Sequence, residues 1–184
     1  MEKHKITRRL IINTAHTLIQ ETQKSEISLS KIASALNITH AAIYKHFKDK
    51  QDLWIAVCAD WFQTYIINNI DIKDDAYDDN QLWLHDYIWA FVNAKKNAYQ
   101  SNQLMFELNT YYVEKNPFIL QKVLKPCFIR IQQKMNYDDS NLYKPEIILS
   151  AFSTFTLPMF KDTWSLPDYH LRFEMTWDLI KYNV

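Results

Sequence analysis

Not one of the chain's 184 residues is a glycine. No position therefore takes a positive φ without steric cost, and none lets a phosphate or a second backbone approach closely. The Walker loop, the dinucleotide-binding fingerprint and the nucleophile elbow each need such a residue, so all three are excluded together. Tight β-hairpins lean on glycine as well. What remains is an all-α chain whose corners are made by Asn, Asp, Ser and Pro.

Apolar spacing bears this out along the length. Residues 6–22 predict a first helix capped by Thr7, with Leu10, Ile11, Ala15, Leu18 and Ile19 on one stripe. Residues 23–27 read as a polar loop. Residues 27–54 then carry two short helices, a corner and the start of a longer helix. Ser28 is placed to cap the first of these, and Leu29, Ile32, Ala33 and Leu36 give it one apolar face. The corner falls at Leu36-Asn37-Ile38, where Asn is the best substitute for glycine in a left-handed conformation. Thr39 stands at the cap of the next helix. Ala42, Ile43 and Phe47 face inward there, leaving a polar, cationic and aromatic set outside: His40, Ala41, Tyr44, Lys45 and His46. Such a surface suits a helix laid against nucleic acid. Asp49 and Asp52 open the following helix.

The run Ile32-Ala33, then Ile38-Thr39-His40-Ala41-Ala42-Ile43-Tyr44-Lys45-His46-Phe47-Lys48-Asp49-Lys50, resembles the DNA-binding module of TetR-type transcriptional regulators. The likeness covers roughly residues 5–55 and departs chiefly at Asn37, where Gly is commonest. It implies an N-terminal three-helix helix–turn–helix DNA-binding domain, residues 1–50, followed by a helical effector-binding and dimerisation domain, residues 51–184. It implies that Thr39, His40, Ala41 and Lys45 approach base edges of double-stranded DNA, while Ser28, Ser30, Tyr44, His46 and Lys50 hold the backbone. A two-fold dimer would then read a pseudo-palindromic operator. No cofactor is implied. A metal on His40 and His46 is set aside, because the two lie six residues apart on different sides of the helix.

Charge agrees with a local DNA-binding surface. Residues 1–57 hold nine Lys/Arg and five Asp/Glu, a net of +4; the remainder holds twelve and sixteen, a net of −4. Arg8 and Arg9 at the start of the first helix can touch phosphate or form a solvated basic face. The acidic run at residues 71–80 has five aspartates but lacks the Gly and final Glu of a calcium loop, and reads as a solvated linker.

From Lys50 the fourth helix runs through Trp54, Val57, Cys58, Trp61, Phe62 and Ile66, too apolar to serve the first domain alone. Residues 58–184 hold 24 of the chain's 27 aromatic residues. The residues Trp83, Tyr87, Met105, Tyr111, Tyr112, Phe152, Phe155, Met159 and Trp177 are candidates for the pocket of a small-molecule effector, or else plain core. His85, Asn93, Glu107 and Asn109 are candidate polar contacts. Aromatic rings with Glu107 would suit a flat cationic ligand. Pro126 is expected to kink or break its helix. Helices over residues 145–164 and 167–183, apolar on more than one face, suggest a homodimer of four packed helices, two per subunit.

Cys58 and Cys127 read as buried reduced thiols. No apolar run approaches the length of a membrane span, and the first residues, MEKHKITRRL, lack a secretion signal's apolar core. A cytoplasmic protein with no membrane partner is expected. Two other classes stay open. A helical enzyme would need a catalytic constellation, and the sequence offers none. A regulator whose second domain binds a protein partner, and no small molecule, would use the last two helices as its surface.

Overall fold

The computed structural model describes residues 5–24 and 26–184, all of whose regular elements are helical. Ser25, in the predicted 23–27 loop, and residues 1–4 lie outside the described residues. The first three helices are α1 Arg8–Thr22, α2 Leu29–Ala35 and α3 His40–Ile43, followed by the longer α4 Lys50–Tyr65. The body comprises α5 Asn80–Ser101, α6 Gln103–Asn109, α7 Pro117–Met135, α8 Tyr143–Ala151, α9 Ser153–Thr156 and α10 Tyr169–Ile180.

Local chemistry sets the starts of these helices. Thr7 accepts from the Leu10 amide at 3.1 Å, Ser28 from Lys31 at 3.2 Å and Asp49 from Asp52 at 2.7 Å. Each oxygen satisfies a first-turn N–H that has no partner within the helix. Thr39 has the extended backbone of a cap, but its hydroxyl makes no capping bond. Without glycine, positive φ falls on side-chain-bearing residues: Gln23, Asn37, Asn136 and Leu142, at 52° to 64°. Asn37 makes the corner between α2 and α3, as its position in the sequence predicts.

α4 is common to both parts of the molecule. Leu53, Trp54, Val57, Cys58, Trp61 and Phe62 are all buried, packed between α1 on one side and α6 and α7 on the other. α5 runs through the middle of the body, with nine of its residues buried. Both thiols are buried and unbridged. Burial pushes the Cys127 thiol up to about 11 and raises that of Cys58 further, so neither is a nucleophile at neutral pH.

Three expectations need correction. Pro126 neither ends nor divides α7, which is helical from Pro117 to Met135. Pro126 and Lys122, whose carbonyl loses its partner, are both on the exposed face, where solvent can take over that bond. The single helix expected over 145–164 is broken. α8 ends at Ala151, Leu157 is extended ahead of Pro158, and a 3₁₀ turn follows over Pro158–Thr163. The residue before a proline is pushed out of the helical region, which accounts for the second break. The acidic run is more than a solvated linker. Arg130 binds Asp74, the Trp83 indole donates to the same carboxylate at 3.0 Å, and Asp79 caps α5. Arg130 first, then the indole, holds the Asp74 carboxyl below its ordinary range. Among the described residues no cluster of His, Cys, Asp or Glu is arranged for a metal, and no helix is long and apolar enough to cross a membrane.

Candidate nucleic-acid interface and an adjoining cavity

Around the α2–α3 corner, the buried positions are structural and the exposed positions chemical. Ile32, Ile43 and Phe47 are buried beneath the corner. Ser28, Ser30, Thr39, His40, Ala41, Tyr44, Lys45 and Lys50 are all exposed, and His46 is half-buried. The α3 set forms one continuous outward surface, with the His40 ring edge-on to Tyr44 at 5.3 Å. The Ser28 hydroxyl is engaged in capping α2. That cap, the His40–Tyr44 pair and the ion pair of Lys50 are among the side-chain contacts that hold this surface in place.

Arg8 holds the recognition segment from behind. Its guanidinium donates to the His46 carbonyl at 2.7 Å and lies 4.2 Å over the Phe47 ring. Asp52 joins it, accepting from the Lys48 amide at 3.0 Å and pairing with Arg8 at 3.4 Å. The Lys48 amide, and then Arg8, lowers the Asp52 carboxyl's pKa from its usual value. Arg9 pairs with Asp60 of α4. Of the two readings the sequence left open for Arg8 and Arg9, internal partners favour neither free phosphate contact nor a purely solvated face.

Lys50 lies 3.0 Å from Glu26, just before α2. Glu26 also accepts from the Tyr112 hydroxyl, and Tyr112 stacks on Trp54 of α4 at 6.1 Å. The Tyr112 bond first, then Lys50, lowers the Glu26 pKa. Tyr112 belongs to a π-helical turn, Thr110–Glu114, so the body touches the module through this turn.

Glu114, at the end of the same turn, points the other way. It lines a cavity of about 460 Å³ bordered by α4, α5, α7, α8 and α9 and open to one side, within the range of about 300–1,000 Å³ typical of small-molecule sites. Phe62, Phe91, Leu120, Leu124 and Phe128 supply apolar wall. Lys95 and Glu114 meet at 2.8 Å on that wall, their side chains only 3% and 2% exposed. Asn109 donates to the same Glu114 oxygen, Oε1, at 2.6 Å.

The pocket residues expected from sequence lie elsewhere. None of Trp83, Tyr87, Met105, Tyr111, Phe152, Phe155, Met159 and Trp177 lines this cavity. Six are buried in the core, whereas Tyr111 is 63% and Met159 79% exposed. Trp83 and Tyr87 stack on each other at 4.9 Å, and Phe152, Phe155 and Phe173 interlock. The rings fill space with one another. Among the expected polar partners, Glu107 is exposed, His85 is bound to Asp86 and Glu174, and Asn93 borders a separate hollow. Asn109 alone reaches the cavity's ion pair.

Lys95 had a sequence signal. It continues the apolar stripe of Leu84, Ile88, Phe91 and Val92, where a cation has no reason to stand unless it is paired inside. Glu114 had none. It lies seven residues after Glu107, which puts both on one side of an uninterrupted helix. The π turn adds a residue to one turn and rotates the residues beyond it by about 100°.

A short helix held at a corner by Asn37, packed on α2 and exposing Lys and aromatic side chains, defines a helix–turn–helix protein. The sequence profile of the bacterial regulatory proteins of the tetR family matches residues 11–57. An HTH-type transcriptional regulator of Staphylococcus aureus (strain bovine RF122 / ET3-1) is 37% identical over 75 residues, 41% of this chain and 40% of the relative. Another from Staphylococcus aureus strain USA300 is 37% identical over 73 residues, 40% of each chain. The chain thus matches about two-fifths of the length of these relatives. The N-terminal module is thus similar to that of tetR-family regulators.

Proposed function

We propose that this protein is a cytoplasmic repressor of transcription that binds a pseudo-palindromic operator as a homodimer and is controlled by a small molecule in its helical body. The observation that carries DNA binding is the exposed α3 surface, in a module that matches HTH-type regulators. Lys45 would donate to a base edge and the Ala41 methyl would meet a thymine methyl; Tyr44, His46, Ser28, Ser30 and Lys50 would hold phosphates. No Arg stands on α3, so DNA shape carries a share of the specificity.

Dimerisation draws support from α8 and α10. Leu171, Met175 and Leu179 recur at four-residue spacing and are 61%, 59% and 81% exposed, with Ile147 and Tyr143 exposed on α8. An apolar stripe of that kind on two adjoining helices suits a copy of itself. Effector control draws support from the cavity and from the turn beside it. Glu114 faces the cavity while Tyr112, two residues back, binds the Glu26 that also holds Lys50. A shift of this turn would alter the seat of Lys50 and of α4 together.

Fluorescence anisotropy with palindromic duplexes from the gene's upstream region tests the first part. Binding that falls steeply with salt is expected, and no affinity for any duplex at low ionic strength would refute it. Light scattering tests the second, with about twice the 22.1 kDa chain mass expected at micromolar concentration and a clean monomer the refuting result. Tyr112→Phe should keep the fold and the DNA affinity while weakening any effector's influence on that affinity.

A further inference from the structure

The cavity's polar wall is unevenly satisfied. Most of the donor side chains on it are engaged within the protein. Lys95 donates to Glu114 Oε1 and lies 5.3 Å and 5.5 Å from the centres of the Phe62 and Phe106 rings. Gln121 donates to Glu146 at 2.7 Å, Ser150 to the Glu146 carbonyl at 2.7 Å, and Thr156 to the backbone of its own helix. The buried unpartnered atom of the lining is an acceptor. Glu114 Oε1 takes two donors, from Lys95 and Asn109, while Oε2 is buried and has no partner among the described residues. A buried carboxylate oxygen without a donor is costly. Glu114 itself lines a space large enough for a ligand.

The charges point the same way. Lys95, Glu114 and Glu146 are the ionisable residues of the lining, and together they carry a net charge of −1. Phe62, Phe91, Phe118 and Phe128 add ring faces and edges to the same wall. A carboxylate ligand would confront two carboxylates, with the one cation already held. An uncharged ligand would leave the excess charge uncompensated. A cation with an N–H satisfies the vacant oxygen, balances the charge and is attracted by the rings.

We infer that this cavity takes a molecule with an apolar or aromatic body and a single ammonium head, the head pairing with the Glu114 carboxylate. The inference rests on the effector-site reading and specifies its ligand class. Glu146 is only half-buried, whereas Glu114 is 2% exposed, so Glu114 sets the preference.

Three probes of equal chain length decide it: decylamine, decanol and decanoate, each titrated calorimetrically into the full-length protein below its micellar concentration. Decylamine should bind at least about tenfold more tightly than decanol, the minimum expected of a charge-assisted hydrogen bond, and decanoate most weakly. Glu114→Gln should reduce the amine's advantage over the alcohol to about unity. Ser153→Phe, which fills the cavity, should abolish binding of all three. Equal affinity for the three probes in the unaltered protein, or tighter binding of decanoate, overturns the ammonium assignment while leaving the effector site standing. Absence of binding by any probe overturns both. Amine binding that survives Ser153→Phe places the amine elsewhere and also overturns the assignment. Should Glu114→Gln fail to fold, the head-group series on the unaltered protein still decides.

Discussion

Residues 1–57 hold three of the chain's 27 aromatics, and the helical body holds the rest. The module buries one face of each short helix and presents the other, so a residue's exposure and its role coincide. The body buries rings on several faces of one helix, and its candidate site is a space between helices. A surface site is made of side chains that a sequence names. A cavity is made of side chains that fail to meet, and that failure depends on register, on breaks and on turns. The two regions therefore differ less in complexity than in whether function resides in residues or in the gap between them.

The sharpest test of that contrast is the buried charge pair of the body. Lys95→Met should destabilise the protein by about 3–5 kcal/mol, because it strands the Glu114 carboxylate in an apolar wall. The double variant Lys95→Met, Glu114→Leu should recover much of that loss. Urea unfolding followed by tryptophan fluorescence measures both, and a silent single variant would remove the contrast. In the module, Lys45→Ala should change discrimination between operator and mismatched duplex by about 1–3 kcal/mol, whereas Lys50→Ala should weaken all duplexes alike and lower the salt slope by about one. Competition binding at several salt concentrations separates them; identical behaviour would mean that base-edge and backbone roles are wrongly divided. Ser28→Ala should cost about 1 kcal/mol through loss of the α2 cap, read by thermal unfolding.

The smallest effect concerns pH. Burial lowers the His16 pKa from its ordinary value of 6.5, against an opposing contribution from Asp60. The unfolded chain therefore takes up this proton before the folded chain does. The stability is present above about 6.5 and declines as pH falls below that value. His16→Gln should flatten this part of the profile of melting temperature against pH, and an unchanged slope would show that His16 is not its source.

Much of the fold was legible because local chemistry decided it. Thr7, Ser28 and Asp49 cap helices where their side chains predict, and Asn37 adopts the left-handed corner that a chain without glycine must give to some other residue. The exposed α3 set was equally legible, since a four-residue helix offers few choices of face. The break before Pro158 was readable in principle, because a proline disfavours helix in its predecessor. Two features were not. The packing of Trp83 and Tyr87 under Arg130, and of Phe152 and Phe155 against Phe173, is decided by distant partners, so their aromatic character gave no sign of whether they filled space or bordered it. Glu114 is turned inward by a π turn, which depends on packing between α4 and α7 and has no composition of its own.

The missing glycines reach beyond the folded state. A disordered chain in which every residue carries a Cβ explores fewer backbone conformations, and each such position gives up about 0.4–1 kcal/mol less on ordering than a glycine there would. Gln23, Asn37, Asn136 and Leu142 bear the local discomfort of that choice in the native backbone. The corresponding gain lies in the denatured ensemble, which is already narrowed before the first helix forms.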